Sequence, residues 1–175
     1  NRLEAFSALY GESYDRAKNN GFLLGAKLVR GAYMEKESAR AEEMGYENPI
    51  NPDKATTDDH YNTALRFCLD NLDEIGLCNA SHNANSAMLQ AEIMAQKGIS
   101  KDHPHCLFSQ LYGMSDNLTF NLAKAGYRVA KYMPYGQVTD VIPYLIRRAQ
   151  ENTSVTGDVG RELALIQREV ERRGI

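Results

Sequence analysis

Apolar residues recur along this chain in two rhythms. Tyr61, Ala64, Leu65, Cys68, Leu69 and Leu72 fall at i, i+3, i+4, i+7, i+8 and i+11, which predicts a helix with one buried face. Thr57, Asp58 and Asp59 just upstream read as its cap and as carboxylates matched to the positive end of its dipole. Similar spacings predict helices at about 3 to 19, 35 to 44, 85 to 97, 116 to 125 and 138 to 150, with Gly21, Gly45, Gly98 and Gly126 where C-terminal glycine caps belong. A tail from about 157 to 175 reads as an amphipathic helix with Leu163, Ile166 and Val170 on one side. Between the helices lie short apolar runs: "FLLGAKLVR" (22 to 30), "GLCNAS" (76 to 81), "HCLFSQL" (105 to 111) and "YRVAKYM" (127 to 133). These predict strands. A helix followed by four strand-helix units is the order of an α/β array built on a parallel sheet.

Composition narrows the class. The chain has 175 residues, 43% hydrophobic and 25% charged, the balance of a globular protein. Its 20 Lys and Arg against 23 Asp and Glu, with no long run of either sign, argue against nucleic acid or an anionic membrane as partner. No apolar run approaches the ~18 residues that cross a bilayer. The chain opens at Asn1 rather than Met, without a basic-then-apolar leader, and is expected to be a processed form or part of a longer protein. Cys68, Cys78 and Cys106 have no paired spacing, so neither a disulfide framework nor a zinc ribbon is expected, and a reducing compartment is.

In parallel α/β folds the chemistry gathers at the C-terminal ends of the strands, where the loops converge. Those ends read "KLVRGAY", "ASHN", "SQLYGM" and "KYMPYG", each placing charge, ring donor, amide or phenol in or beside a turn. On the first strand Lys27 and Val29 point one way and Leu28 and Arg30 the other, so one cation faces into the fold. It meets either an anionic group or solvent and a salt bridge. Gly31 lets a ligand approach the backbone, and Asn83 or Asn85 can cap a helix start of the kind that receives phosphate. His103, His105 and Cys106 match no common zinc spacing and read as structural, and Met88, Met94, Met114 and Met133 read as core filling.

On the helix from 138, a wheel places Val138, Val141, Ile142, Leu145 and Ala149 on one face and Tyr144, Arg147, Arg148 and Glu151 on a stripe beside it. Glu151 lies at i+4 from Arg147 and i+3 from Arg148 and offsets part of their repulsion. The two guanidiniums suit a bidentate carboxylate or phosphate, or an exposed Arg-Glu pair. Pro143 is expected to kink or restart this helix.

The ordered set "KLVRGAY", "INPDKATTDDHY", "ASHN", "SQLYGM", "GYRVAKYMPYG" and "PYLIRRAQENTSV" resembles the proline dehydrogenase family over about residues 22 to 155. The resemblance implies the C-terminal half of a distorted (βα)8 TIM barrel, from its fourth helix through its eighth, over residues 1 to 156, with the C-terminal helix appended. It implies FAD across the strand ends and oxidation of L-proline to Δ1-pyrroline-5-carboxylate by hydride transfer to the flavin, the first step of proline catabolism. Membrane quinone is then the expected electron acceptor, in the cytoplasm or peripheral at the inner membrane, on the matrix side in a eukaryote. By position, the resemblance assigns catalysis to Lys27 and Tyr132 and substrate binding to Arg147, Arg148, Tyr144 and Leu111. It assigns the cofactor to Arg30, Gly31, Ala32, Ser81, His82, Asn83 and Glu151. Lys27 and Arg30 exchange the Arg and Lys of many bacterial members, and Met34 replaces an aromatic residue. The family also uses a lysine and an aspartate from the N-terminal half of the barrel, so this segment alone is expected neither to close a barrel nor to turn over proline. Hydroxyproline dehydrogenase and a non-catalytic half-barrel are the alternatives. Tyr132, which is smaller in the hydroxyproline branch, favours proline.

Overall fold

The computed structural model describes residues 3–31, 33–154 and 156–174, with side chains for 11–31, 33–148 and 163–174. Its elements run α1 (Leu3–Asn19), β1 (Leu24–Leu28), α2 (Met34–Met44), α3 (Lys54–Asp70), β2 (Ile75–Ala80), α4 (Ala84–Gln96), β3 (Cys106–Leu111), α5 (Asp116–Lys124), β4 (Val129–Tyr132), α6 (Val138–Ser154) and α7 (Thr156–Arg173). The chain divides into two compact units, Asn1–Tyr132 and Met133–Ile175.

In the first unit the four strands lie side by side in chain order and pair in parallel throughout. A sheet that adds each new strand on the same side is wound as in a barrel, not as in a doubly wound sheet. Alternation assigns its two faces. Ala26 and Leu28, Ile75 and Leu77, and Cys106 and Phe108 are buried with Tyr61, Leu65, Cys68 and Leu69 of α3 and Ala87 and Met94 of α4 in one core. Lys27, Cys78, Leu107 and Ser109, then Leu111 and Tyr132, occupy the intervening positions and turn to the opposite face.

Each predicted strand is present: β1, β3 and β4 are shorter than their apolar runs by one to four residues, and β2 is shifted back by one. The predicted glycine caps Gly21, Gly45, Gly98 and Gly126 all have positive φ, as helix-ending glycines require. Three expectations change. Helix α3 starts a turn early, because the Asp53 carboxylate accepts the Thr56 N–H at 2.7 Å, while Thr57 lies inside the helix and donates its hydroxyl back to the Asp53 carbonyl at 3.0 Å. Met94 is core, but Met88 and Met133 are exposed. Met88 precedes Met94 by six positions, about 240° round the helix. In the second unit the helix does not restart at Pro143, which lies inside α6, and the stripe expected to meet a core is exposed at Val138, Ile142 and Leu145. Spacing decides which residues share a face, not what covers it.

Candidate active site at the strand ends

The first cluster spans the sheet. Lys27 on β1 holds its Nζ 4.8 Å from the centre of the Tyr132 ring on β4, a cation-π distance. Tyr132 in turn pairs in register with Leu111 at the end of β3. Burial raises the pKa of the Cys78 thiol, opposed by the Lys27 charge and a hydrogen bond with Ser109. The open face thus carries a cation, a phenol ring and an aliphatic wall in one place.

Arg30 turns the other way, into the helices. Its Nη1 pairs with the Asp58 carboxylate, its Nη2 donates to Ser81 Oγ at 2.8 Å and Ser86 Oγ at 2.7 Å, and its Cζ stacks 3.9 Å from the centre of the Tyr61 ring. Burial pushes the Asp58 carboxyl up, but the cations of Lys54, 2.6 Å away, and Arg30 outweigh it and hold the carboxyl below its ordinary range. A planar guanidinium satisfied on its edge and its face is a rigid tie between the end of β1, α3 and α4. Next to it, Gly31 adopts φ 79°, with nothing within 4 Å of where a Cβ would lie. Ala32 lies outside the described residues.

The tie continues into the loop after β2. Ser81 Oγ accepts the Asn83 N–H at 3.0 Å, and Asn83 Oδ1 accepts the N–H groups of Asn85 at 2.9 Å and Ser86 at 3.2 Å, capping α4. His82 Nδ1 lies 2.9 Å from Ser115 Oγ at the start of α5. Arg30, Ser81, His82 and Asn83 therefore belong to one bonded set that joins the ends of β1, β2 and β3.

In the second unit, the Arg148 guanidinium lies 5.2 Å from the centre of the Tyr144 ring, one helical turn before it on α6. Arg147 is exposed beside it. The Glu151 side chain, expected to offset the two arginines, lies outside the described residues.

Residue patterns alone did not single out the supports beneath these groups. Tyr61 donates to Asn79 Oδ1 at 2.5 Å, with the Leu28 carbonyl 3.2 Å from the same oxygen, and the Asn79 amide donates to Gln90 Oε1 at 2.9 Å, a buried polar chain behind the strand ends. Burial drives the Tyr61 phenol far above its usual range, partly offset by Arg30, so it stays a neutral donor. Lys131 Nζ donates to the Met114 carbonyl at 2.5 Å and pairs with Asp116 at 2.7 Å, fastening the loop after β3. A readable signal for such supports was the polar residue at a helix-facing strand position, as at Asn79. The rings of His103 and His105 meet edge to face at 5.3 Å, and His105 Nδ1 lies 2.7 Å from the Leu72 carbonyl. Among the described residues no group of three His, Cys, Asp or Glu is arranged to hold a metal ion, and no helix is long and apolar enough to cross a membrane.

The sequence model of one family, described as proline dehydrogenase, matches residues 5–161. The chain belongs to the proline dehydrogenase family. It is 43% identical over 169 residues to proline dehydrogenase 1, mitochondrial, of Drosophila melanogaster, covering 91% of this chain and 25% of that protein. It is 44% identical over 163 residues to hydroxyproline dehydrogenase of Xenopus laevis, covering 91% of this chain and 35% of the relative. Among solved structures, proline utilization A (PutA) from Bdellovibrio bacteriovorus, inactivated by N-propargylglycine, superposes with a TM-score of 0.76 at 30% identity over 86% of this chain and 15% of that one. The chain thus spans about a quarter to a third of the curated relatives' length. Its open parallel sheet is part of a TIM-type barrel of the proline dehydrogenase kind.

Proposed function

We propose that this chain is the C-terminal half of the catalytic barrel of an FAD-dependent proline dehydrogenase, which oxidises L-proline to Δ1-pyrroline-5-carboxylate as the first step of proline catabolism. The observation that carries the reading is the family match over residues 5–161, with Lys27 and Tyr132 gathered on the open face of the sheet. In this reading residues 1 to 156 belong to the barrel, residues 157 to 175 are a C-terminal appendage to it, and the other half of the barrel completes the site.

The donor set suits an anionic dinucleotide. Gly31 leaves an open cradle where the backbone can approach a flat or phosphate-bearing group, and the positive end of the α4 dipole favours an anion beside Ser81, His82 and Asn83. When bound, FAD supplies the acceptor for the hydride that leaves proline. Lys27 then offers a cation where negative charge grows, held against the Tyr132 ring without reorganisation. Arg147 and Arg148 bind the proline carboxylate, Tyr144 backs the Arg148 guanidinium, and Tyr132 and Leu111 wall the proline ring. Arg30 serves the cofactor through the backbone of its turn, and Ala32 and Glu151 complete the cofactor contacts. Electrons pass on to membrane quinone, on the matrix side of the inner membrane in a eukaryote, in keeping with the mitochondrial relatives.

The test is optical. The full-length protein, purified, should carry a flavin absorbance that proline bleaches in the absence of oxygen; no flavin and no bleaching overturns the reading. Hydroxyproline dehydrogenase is the second reading, favoured by relatives of equal similarity, 44% identical in Xenopus laevis and Bos taurus. A higher kcat/KM for hydroxyproline than for proline would decide for it.

A further inference from the structure

Ser115 departs from its expected behaviour twice. A serine at the start of a helix usually turns its hydroxyl onto the first free N–H groups, yet Ser115 makes no such bond to α5. Its backbone is left-handed, φ 51° and ψ 42°, a conformation glycine adopts freely and serine does not. Glycine would relieve the backbone and lose no cap, but it would lose the hydroxyl. That hydroxyl lies 2.9 Å from His82 Nδ1, across the gap between the loops after β2 and β3.

Bonds other than the hydroxyl's also hold the loop in shape. The Ser115 carbonyl accepts both the backbone N–H and the hydroxyl of Thr119, each at 3.1 Å. Lys131 holds the carbonyl of Met114 on one side and the carboxylate of Asp116 on the other. Thr119 also contacts Gln110 Oε1 at 3.0 Å, and Gln110 donates to the Ser81 carbonyl at 3.2 Å, so both loops share one scaffold. A strained backbone persists where its surroundings over-determine it.

We propose that Ser115 is a positioning residue: its hydroxyl fixes the plane of the His82 imidazole, and with it the direction in which Nε2 meets the phosphate-ribose part of the cofactor. The proposal rests on the FAD reading above for what Nε2 meets, and on the contact within this chain for the coupling itself. It sets Ser115 apart from a capping serine, whose loss would act through stability alone.

Two variants of the full-length protein separate the roles, because Ser115→Ala removes the hydroxyl and keeps the strain while Ser115→Gly removes both. Melting of the flavin-free protein should rank Gly above Ala by about 3 °C. FAD affinity should fall about 5- to 20-fold in both alike, as expected for one lost orienting hydrogen bond. The His82 ring signals in nitrogen-15 NMR, assigned through His82→Gln, should move in both variants without flavin. Affinity that follows stability, recovering in Ser115→Gly, overturns the proposal, as do unmoved His82 signals or unchanged affinity in both. If the parent protein binds no FAD, the functional reading fails on its own, and the His82 signals still decide the coupling.

Discussion

The ammonium of Lys27 on β1 lies 4.8 Å from the ring of Tyr132 on β4, although these strands stand at opposite edges of the four-stranded sheet. In a flat sheet three strand spacings would hold their backbones about 14 Å apart, beyond a lysine's reach to a facing ring unless the sheet curls. Curvature brings the first and last strands together over one concavity, and both residues sit where alternation points them into it.

Lys27→Met keeps length and removes charge. If the cation stabilises charge that develops only during hydride transfer, kcat for proline should fall about 100-fold with little change in KM. Steady-state kinetics of the flavin-loaded full-length protein measures this, and an effect confined to KM would make Lys27 a binding group.

Tyr132→Ser opens space beside the substrate ring. The ratio of kcat/KM for proline to that for hydroxyproline should fall about 10-fold or more, the usual discrimination by pocket volume. An unchanged ratio removes Tyr132 from the specificity determinants.

Asp58 links Arg30 and Lys54, and its carboxyl is held below its ordinary range despite burial. A depressed folded pKa contributes stability above the unfolded carboxyl value of about 3.9, lost as pH falls through the folded value. Asp58→Asn should therefore be less stable than the parent at pH 7, with the gap closing as pH falls below about 4. Denaturant titrations at a series of pH values would show it; a constant gap contradicts the ion pair.

Tyr61→Phe removes one oxygen from the buried chain and leaves Asn79 Oδ1, almost fully enclosed, without its phenol partner. Stability should fall by about 1–2 kcal/mol, while the ring that stacks on Arg30 remains. A urea melt is sufficient to measure it, and a neutral outcome would mean the amide is satisfied another way.

Much of the architecture was legible in the residues. The i, i+3, i+4 spacing from Tyr61 to Leu72 located α3, the short apolar runs located all four strands, and glycines at 21, 45, 98 and 126 marked helix ends at positive φ. The sequence leaves the start of α3 open because Asp53 and Thr57 both have capping side chains, and only the extended backbone at Asp53 selects between them. Arg30 read as a cofactor contact at the end of a strand; its partners, Asp58, Ser81 and Ser86, reside on two helices and a loop.

The sequence by itself determined the alternation of strands and helices, the residues that share each face and the strand ends that carry polar chemistry, because these follow from local periodicities of two and 3.6 residues. The tertiary structure alone decided that Lys27 meets Tyr132, that Arg30 is locked among helices and that Ser115 turns to His82 and not to its own helix. Those pairings join residues far apart in the chain, and what unites them is the winding and curvature of the sheet, which no local pattern encodes.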